Sequence, residues 1–311
     1  MRTAIAATCL VLACLFASMA PAADKPDKGK AVPPESVKFV MHRVGTFRSE
    51  ACGVADFNGD GKLDIVAGPC VYLAPDWKPF KIRTLEGNVD DKGKGYYWDF
   101  MNEPLDVDGD GKPDVVGCEW RGTSEWFRNA GFSGGQWPAT LIEKNGNMEC
   151  GDLVDIDGDG KAQEILLHVP PTVWYGLGTL PDGKRGMVKH VVSTKPLDYG
   201  GGVGDVNGDG RPDIIRPGAW YEAPKDPVNG KWIEHPIALG GKDGKAEHTP
   251  QICVYDVNGD GLPDIVTSSR SPSPSRSASV RAWAWVQVSS IVCCFQPILP
   301  PWRVCSYQKM P

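Results

Sequence analysis

The stretch at residues 106–114, DVDGDGKPD, decides the reading of this chain, because four variants of it recur at nearly constant spacing. DFNGDGKLD begins at Asp56, DIDGDGKAQE at Asp155, DVNGDGRPD at Asp205 and DVNGDGLPD at Asp256, so successive copies start 50, 49, 50 and 51 residues apart. A period of that length marks a repeat architecture, in which each unit is one supersecondary element that buries its faces against its neighbours. Asp, Asn and Gly make turns in many proteins. Five copies with the same spacing of oxygen-bearing side chains go beyond what turning the chain requires.

The chemistry lies in that spacing. Oxygen side chains at positions 1, 3 and 5, a Gly at 6, a main-chain carbonyl at 7 and a carboxylate at 9 can converge on one hard cation, which suits Ca2+ better than softer metals. The second copy offers Asp106, Asp108, Asp110 and Asp114 with the carbonyl of Lys112. The first offers Asp56, Asn58, Asp60 and Asp64 with Lys62; the fourth Asp205, Asn207, Asp209 and Asp213 with Arg211; the fifth Asp256, Asn258, Asp260 and Asp264 with Leu262. The third departs: after Asp155, Asp157, Asp159 and Lys161, position 9 is Gln163 and the acid, Glu164, comes one residue late. Its site is expected to be distorted or weaker.

The flanks choose the scaffold. An EF-hand needs a helix and a bidentate Glu at position 12. Here each loop runs into a short β-branched segment, such as DIVAG, DVVGC, DIIRPG or DIVTS, and follows another such as CGDLVD or QICVYD. These read as paired strands. Further on come an aromatic run (AWYEAP, VWYGL) and an alternating one (KWIEHPIAL, MVKHVVS). Strand, acidic loop, strand, aromatic strand and outer strand make a four-stranded blade, and blades of about 50 residues in series predict an all-β protein, a β-propeller.

At this point the chain resembles the FG-GAP or VCBS repeat family, whose blades include those of the integrin α-subunit propeller. The resemblance rests on DxDGDGxxD followed by an apolar strand and covers residues 37–269. It implies Ca2+ sites between the first and second strands of each blade and implies nothing specific about activity.

The flanking segments differ from the repeats. A basic start, an uncharged run from Thr3 to Ala23 and small residues at 20–23 predict a secretory signal peptide over residues 1–23, hence a secreted, periplasmic or cell-surface protein with no span in the mature chain. LVLAC, ending at Cys14, also resembles a lipoprotein cleavage box. Residues 24–36 read as a linker. VKFVMHRVG (37–45) resembles the outer-strand runs and is expected to complete the last blade, which makes His42, His190 and His235 equivalent structural residues. After Ser269 the repeat grammar stops. Residues 270–311 form a Ser, Pro, Arg, Cys and Trp rich tail, read as disordered or as the product of a shifted reading frame that leaves the propeller incomplete.

Composition excludes some functions. The net charge of −6 reflects the loops, which hold 17 of the 39 acidic residues. No basic run interleaved with aromatics points to nucleic acid. No GxSxG, HExxH or phosphate loop supports hydrolase, protease or nucleotide chemistry. Trp126, Trp174, Trp220 and Trp232 fall on strands and read as core. Cys52 and Cys70, at the open end of one hairpin, are placed to pair in an oxidising compartment.

The starts of the first strands carry Glu50, Asp99, Glu149, Asp198 and His248, with Asn102 nearby, a candidate ring of carboxylates and one His at the channel mouth. Two functions follow: an exported, Ca2+-binding propeller that binds a glycan or protein partner, or a sugar-active lyase or dehydratase that uses this ring. The WYE and WxxHxI patterns are similar to the propeller of fungal aldos-2-ulose dehydratases, although this chain shows no cupin domain.

Overall fold

The structure is a computed structural model and describes residues 41–92, 94–119, 122–146, 151–239, 246, 249, 251–267 and 306–308. Among them there is no helix. Five antiparallel sheets follow one another along the chain. The first contains β1 (Cys52–Ala55), β2 (Asp64–Ala67), β3 (Cys70–Leu73) and β4 (Lys78–Lys81); the second β5 (Asp99–Leu105), β6 (Asp114–Glu119), β7 (Gly122–Phe127) and β8 (Ala139–Gly146). The third contains β9 (Gly151–Val154), β10 (Glu164–Leu167), β11 (Thr172–Thr179) and β12 (Arg185–Ser193); the fourth β13 (Gly202–Gly204), β14 (Asp213–Arg216), β15 (Ala219–Glu222) and β16 (Ile233–Pro236). In the fifth, β17 (Ile252–Tyr255) and β18 (Asp264–Thr267) are joined by β19 (Ser306–Gln308). The region read as a tail thus supplies three residues to the last sheet.

Each acidic loop joins the first two strands of its sheet, and each second strand begins at the last acid of its loop. That acid pairs with the residue before the loop in every sheet: Ala55 with Asp64, Leu105 with Asp114, Val154 with Glu164, Gly204 with Asp213 and Tyr255 with Asp264. Glu164 therefore takes the Asp position, and the one-residue insertion is absorbed within the loop.

The core lies between sheets, in four clusters that follow from the two-residue period of a strand. In β6, Val115 packs with Phe57, Val66, Val71 and Ile82 of the first sheet, while Val116 packs with Ile165, Val173 and Tyr175 of the third. In β10 and β11, Ile165 and Tyr175 turn toward the second sheet, and Leu166 and Trp174 toward Ile214 and Tyr221 of the fourth. Ile215 and Trp220 then meet Ile252 and Ile265 of the fifth. The second, third and fourth sheets each contribute to two of these clusters, one on either face, which is why their second and third strands read as continuous hydrophobic runs. Trp126, Trp174 and Trp220 are buried and Trp232 is partly buried against the third cluster, as expected.

First strands lie beside first strands, β1 by β5, β5 by β9 and β13 by β17. His190 and His235 sit on outer strands and stack on Trp174 and Trp220, with ring centroids 4.0 and 4.1 Å apart. His42 has no such place. Residues 41–45 hold no strand, and 37–40 lie outside the described residues; a strand forms only against a hydrogen-bonded partner. The expected Cys52–Cys70 bridge is also absent. Both cysteines are aligned with Ala67, Cys52 on one side of β2 and Cys70 on the other, so two strand spacings of about 4.8 Å separate them, beyond the reach of a disulfide.

Candidate metal loops and first-strand groove

The five loops share one hydrogen-bond plan. In the first, the two oxygens of Asp56 accept the N–H groups of Gly59 and Gly61, both at 2.8 Å. Asn58 Oδ1 accepts the Asp60 N–H at 2.9 Å, and Asp60 accepts the Lys62 N–H at 2.9 Å. The same four bonds recur in the second, third, fourth and fifth loops, with Asp108 and Asp157 in the role that Asn207 and Asn258 play elsewhere. Positions 4 and 6 turn through positive φ in all five, for example +74° at Gly59 and +81° at Gly61, where a side chain would be strained.

The last acid closes the loop. Asp64, Asp114, Glu164, Asp213 and Asp264 each accept the N–H of the residue after the first Asp, at 2.9–3.1 Å. The other oxygen reaches the end of the third strand: Asp64 accepts from Ala74, Asp114 from Asn129 and Asp213 from Ala223. Asp114 also accepts the Trp126 indole N–H at 2.8 Å. One carboxylate therefore holds loop, second strand and third strand together.

These carboxylates crowd one another. One oxygen each from Asp106, Asp108 and Asp114 lie within 4.8 Å of one another, and so do those of Asp155, Asp157 and Asp159. Burial, and then the charge of Asp108, push the Asp114 carboxyl above its ordinary value; burial, then Asp209 and Asp205, do the same for Asp213. Glu164 is pushed up to about 7 by burial and by Asp157 and Asp155. In contrast, Asp60 and Asp110 are held below the ordinary value, first by the backbone N–H of Lys62 and of Lys112. A convergent, mutually repelling, all-oxygen donor set fits a hard divalent cation. The position-7 side chains turn outward onto the fifth-position acid: Lys62 to Asp60 at 3.2 Å, Lys112 to Asp110 and Lys161 to Asp159 at 3.3 Å, and Arg211 to Asp209. Exposed pairs of this kind contribute little stability.

A groove of about 600 Å³ runs along the first strands, lined by Cys52, Val54, Glu103, Pro104 and Leu153. Asp106 and Gln163 also line it, so it reaches the second and third loops. Glu103 is pushed up to about 7 by burial and by the neighbouring charge of Asp152. Asp152, on β9, lies 3.1 Å from Nε2 of the buried His168.

The channel-mouth candidates divide. Asp99 and Asn102 are fully buried and tied to Arg83, at 2.6 and 2.5 Å, and to each other at 3.0 Å; Ser49 donates to Asp99 at 2.6 Å. Arg83 also reaches the Gly68 carbonyl at 3.0 Å. This network fixes the start of β5 and leaves neither residue open to a ligand. Glu50 is exposed, and the backbone carbonyl of Asp198, itself half-buried, accepts from the buried Arg216. Glu149 and His248 lie outside the described residues. Glu103, which lines the groove, and Asp152, whose charge reaches it, belong to no motif in the sequence. Their signal is positional: both stand three residues before a loop, where the other repeats have Gly53, Gly202 and Cys253.

The fold and loops define an all-β protein of tandem antiparallel sheets with a conserved-geometry acidic loop in each. Residues 106–165, which span one loop to the next, match the model of the FG-GAP-like repeat. The chain is 24% identical to a T-cell immunomodulatory protein homolog of Plasmodium falciparum (isolate 3D7), over 58% of this chain and 31% of that protein. Among solved structures it is similar to the biofilm matrix protein Bap1 of V. cholerae (TM-score 0.43, 19% identity, 74% of this chain and 36% of that one). A rhamnogalacturonan lyase of Bacillus licheniformis is also similar (TM-score 0.43, 14% identity, 72% and 47%). The chain spans about a third of the length of its curated relative.

Proposed function

We propose that this chain is an exported, Ca2+-binding module of β-propeller type, whose first-strand groove takes an extracellular glycan or protein ligand. The observation that carries the reading is the fivefold repetition of one loop geometry, with carboxylate oxygens gathered to within 4.8 Å in the second and third copies. Asp106 belongs both to a loop and to the groove lining, so a ligand in the groove abuts a cation site. The cation, when bound, supplies charge that offsets the crowded carboxylates; the chain itself holds them in place through its own N–H groups.

Calorimetric Ca2+ titration tests the cation half of this reading. Saturable binding of several ions per chain is expected, and a protein that takes up none would sink it. For the ligand half, Val54→Trp fills the groove. It should abolish binding on a glycan or extracellular-protein array without altering Ca2+ stoichiometry, and unchanged binding would remove the groove from the reading.

A second reading has one specific observation in its favour. Glu103, poised near pH 7, stands close to an Asp152–His168 pair beside the groove, and such groups can move a proton from and to a sugar in an elimination. Glu103→Gln should then abolish turnover of a uronic or anhydro sugar that the parent consumes.

A further inference from the structure

The first, fourth and fifth loops carry the same oxygen donors, Asp at positions 1, 5 and 9 and Asn at position 3. Among charged residues they differ only at position 7, which is Lys62, Arg211 and Leu262 in turn. That position offers a cation its carbonyl, so these loops isolate the effect of the side chain that the same residue carries. The lysines of the first three loops each pair with the position-5 acid and are 52, 58 and 66% exposed. Arg211 is 33% exposed.

Arg211 is held at three points. Its Nη2 pairs with Asp209, its Nε donates to the Ala223 carbonyl at 2.8 Å, and Nη2 also lies 3.9 Å from Oε1 of Glu222. Asp209 is taken up in turn. Its Oδ1 accepts the Arg211 N–H at 3.0 Å, and its Oδ2 accepts from the guanidinium and, at 2.9 Å, from Nδ2 of Asn207. A planar guanidinium loses less freedom per bond than an ammonium, and a pair partly removed from water is screened less. Glu222 ends β15 and is itself fixed: its Oε2 lies 2.9 Å from Nε2 of His235, whose ring stacks on Trp220.

We propose that Arg211 is the resident cation of the fourth loop, a built-in competitor for Ca2+, an inference that rests on the reading of the loops as Ca2+ sites. The guanidinium neutralises Asp209 while the loop is empty. Because it and a divalent ion on the same acid repel one another, Nη2 leaves Asp209 when the site fills. Nε on the Ala223 carbonyl is the pivot for that movement, and Glu222, 3.9 Å away and held by His235, receives the guanidinium. Displacement weakens the fourth site about tenfold relative to the first, where a single exposed lysine pair gives way. The fourth loop therefore fills after its counterpart with the same donors, and its filling is felt on the outer strand through Glu222 and His235.

The test is a CaCl2 titration of the full chain followed by NMR. The amide of the position-6 glycine reports each loop separately, because Gly61, Gly111, Gly160, Gly210 and Gly261 make the same bond to the first Asp. The Gly210 midpoint is expected at about ten times the Ca2+ concentration of the Gly61 midpoint, with the His235 ring resonances moving in step with Gly210. Arg211→Lys should bring Gly210 level with Gly61. Arg211→Leu should bring it to that level or below and silence the His235 response, and the Gly61 midpoint should stay where it is in both variants. Gly210 in step with Gly61 in the parent, a Gly210 midpoint unmoved by Arg211→Leu, or a His235 ring that stays still would each overturn the proposal and leave the Ca2+ reading standing. No shift at any of the five glycines would overturn both.

Discussion

At the scale of single residues, the acid that ends each loop matters through what it accepts. Asp213 is fully buried and receives the Val206 and Ala223 N–H groups at 2.9 and 2.8 Å. Asp213→Ala orphans both, so unfolding in denaturant should show a loss of about 3 kcal/mol. Glu103 makes the opposite kind of contribution. Its folded-state value of about 7 lies above its ordinary 4.5, so the folded protein keeps a proton that the unfolded chain has released. Stability should fall as pH rises from about 4.5 to about 7 and then level off. Glu103→Gln should remove that decline and exceed the parent above pH 7 by an amount on the order of 2 kcal/mol, read from denaturation curves at several pH values. The loop acids were legible in the sequence because their spacing within nine residues is their signal. Glu103, Asp152 and His168 were not, because acids on two neighbouring strands have no common spacing until the strand register aligns them.

At the scale of elements, strand identity was legible and strand proximity was not. Runs such as DVVGC and EILL declare buried strands through β-branched and apolar residues, and the structure places them in the second position of each sheet. The Cys52–Cys70 pairing failed because a hairpin end seen in sequence does not reveal that Ala67 stands between the two cysteines. Likewise the reach of Arg83 to Asp99 crosses from one sheet to the next, and no local pattern announces it. The glycines of the first strands were silent for the same reason. Gly202 adopts no unusual backbone angle, yet a Cβ there meets the Ile252 carbonyl 2.0 Å away. Gly202→Ala should push the fourth and fifth sheets apart and lower stability by about 1–3 kcal/mol, measured as a shift of the thermal midpoint.

At the scale of the whole molecule, the five sheets share their cores pairwise, so loss of one loop is felt through its neighbours. A cation bound only by the folded state stabilises it by about 2.7 kcal/mol for each site at a hundredfold excess over its dissociation constant. Excess EDTA should therefore lower the melting temperature, and an unchanged midpoint would count against Ca2+. The repeat number and the β class were legible because a 50-residue period survives variation within each copy; the participation of Ser306–Gln308 was not, because that segment shares no pattern with the third strands it imitates. In every loop the first Asp accepts the N–H of the Gly at position 6, so the chain's own bonds aim its carboxylate. A loop braced in this way has little freedom left to lose to the proposed Ca2+, so stopped-flow association should be insensitive to solvent viscosity.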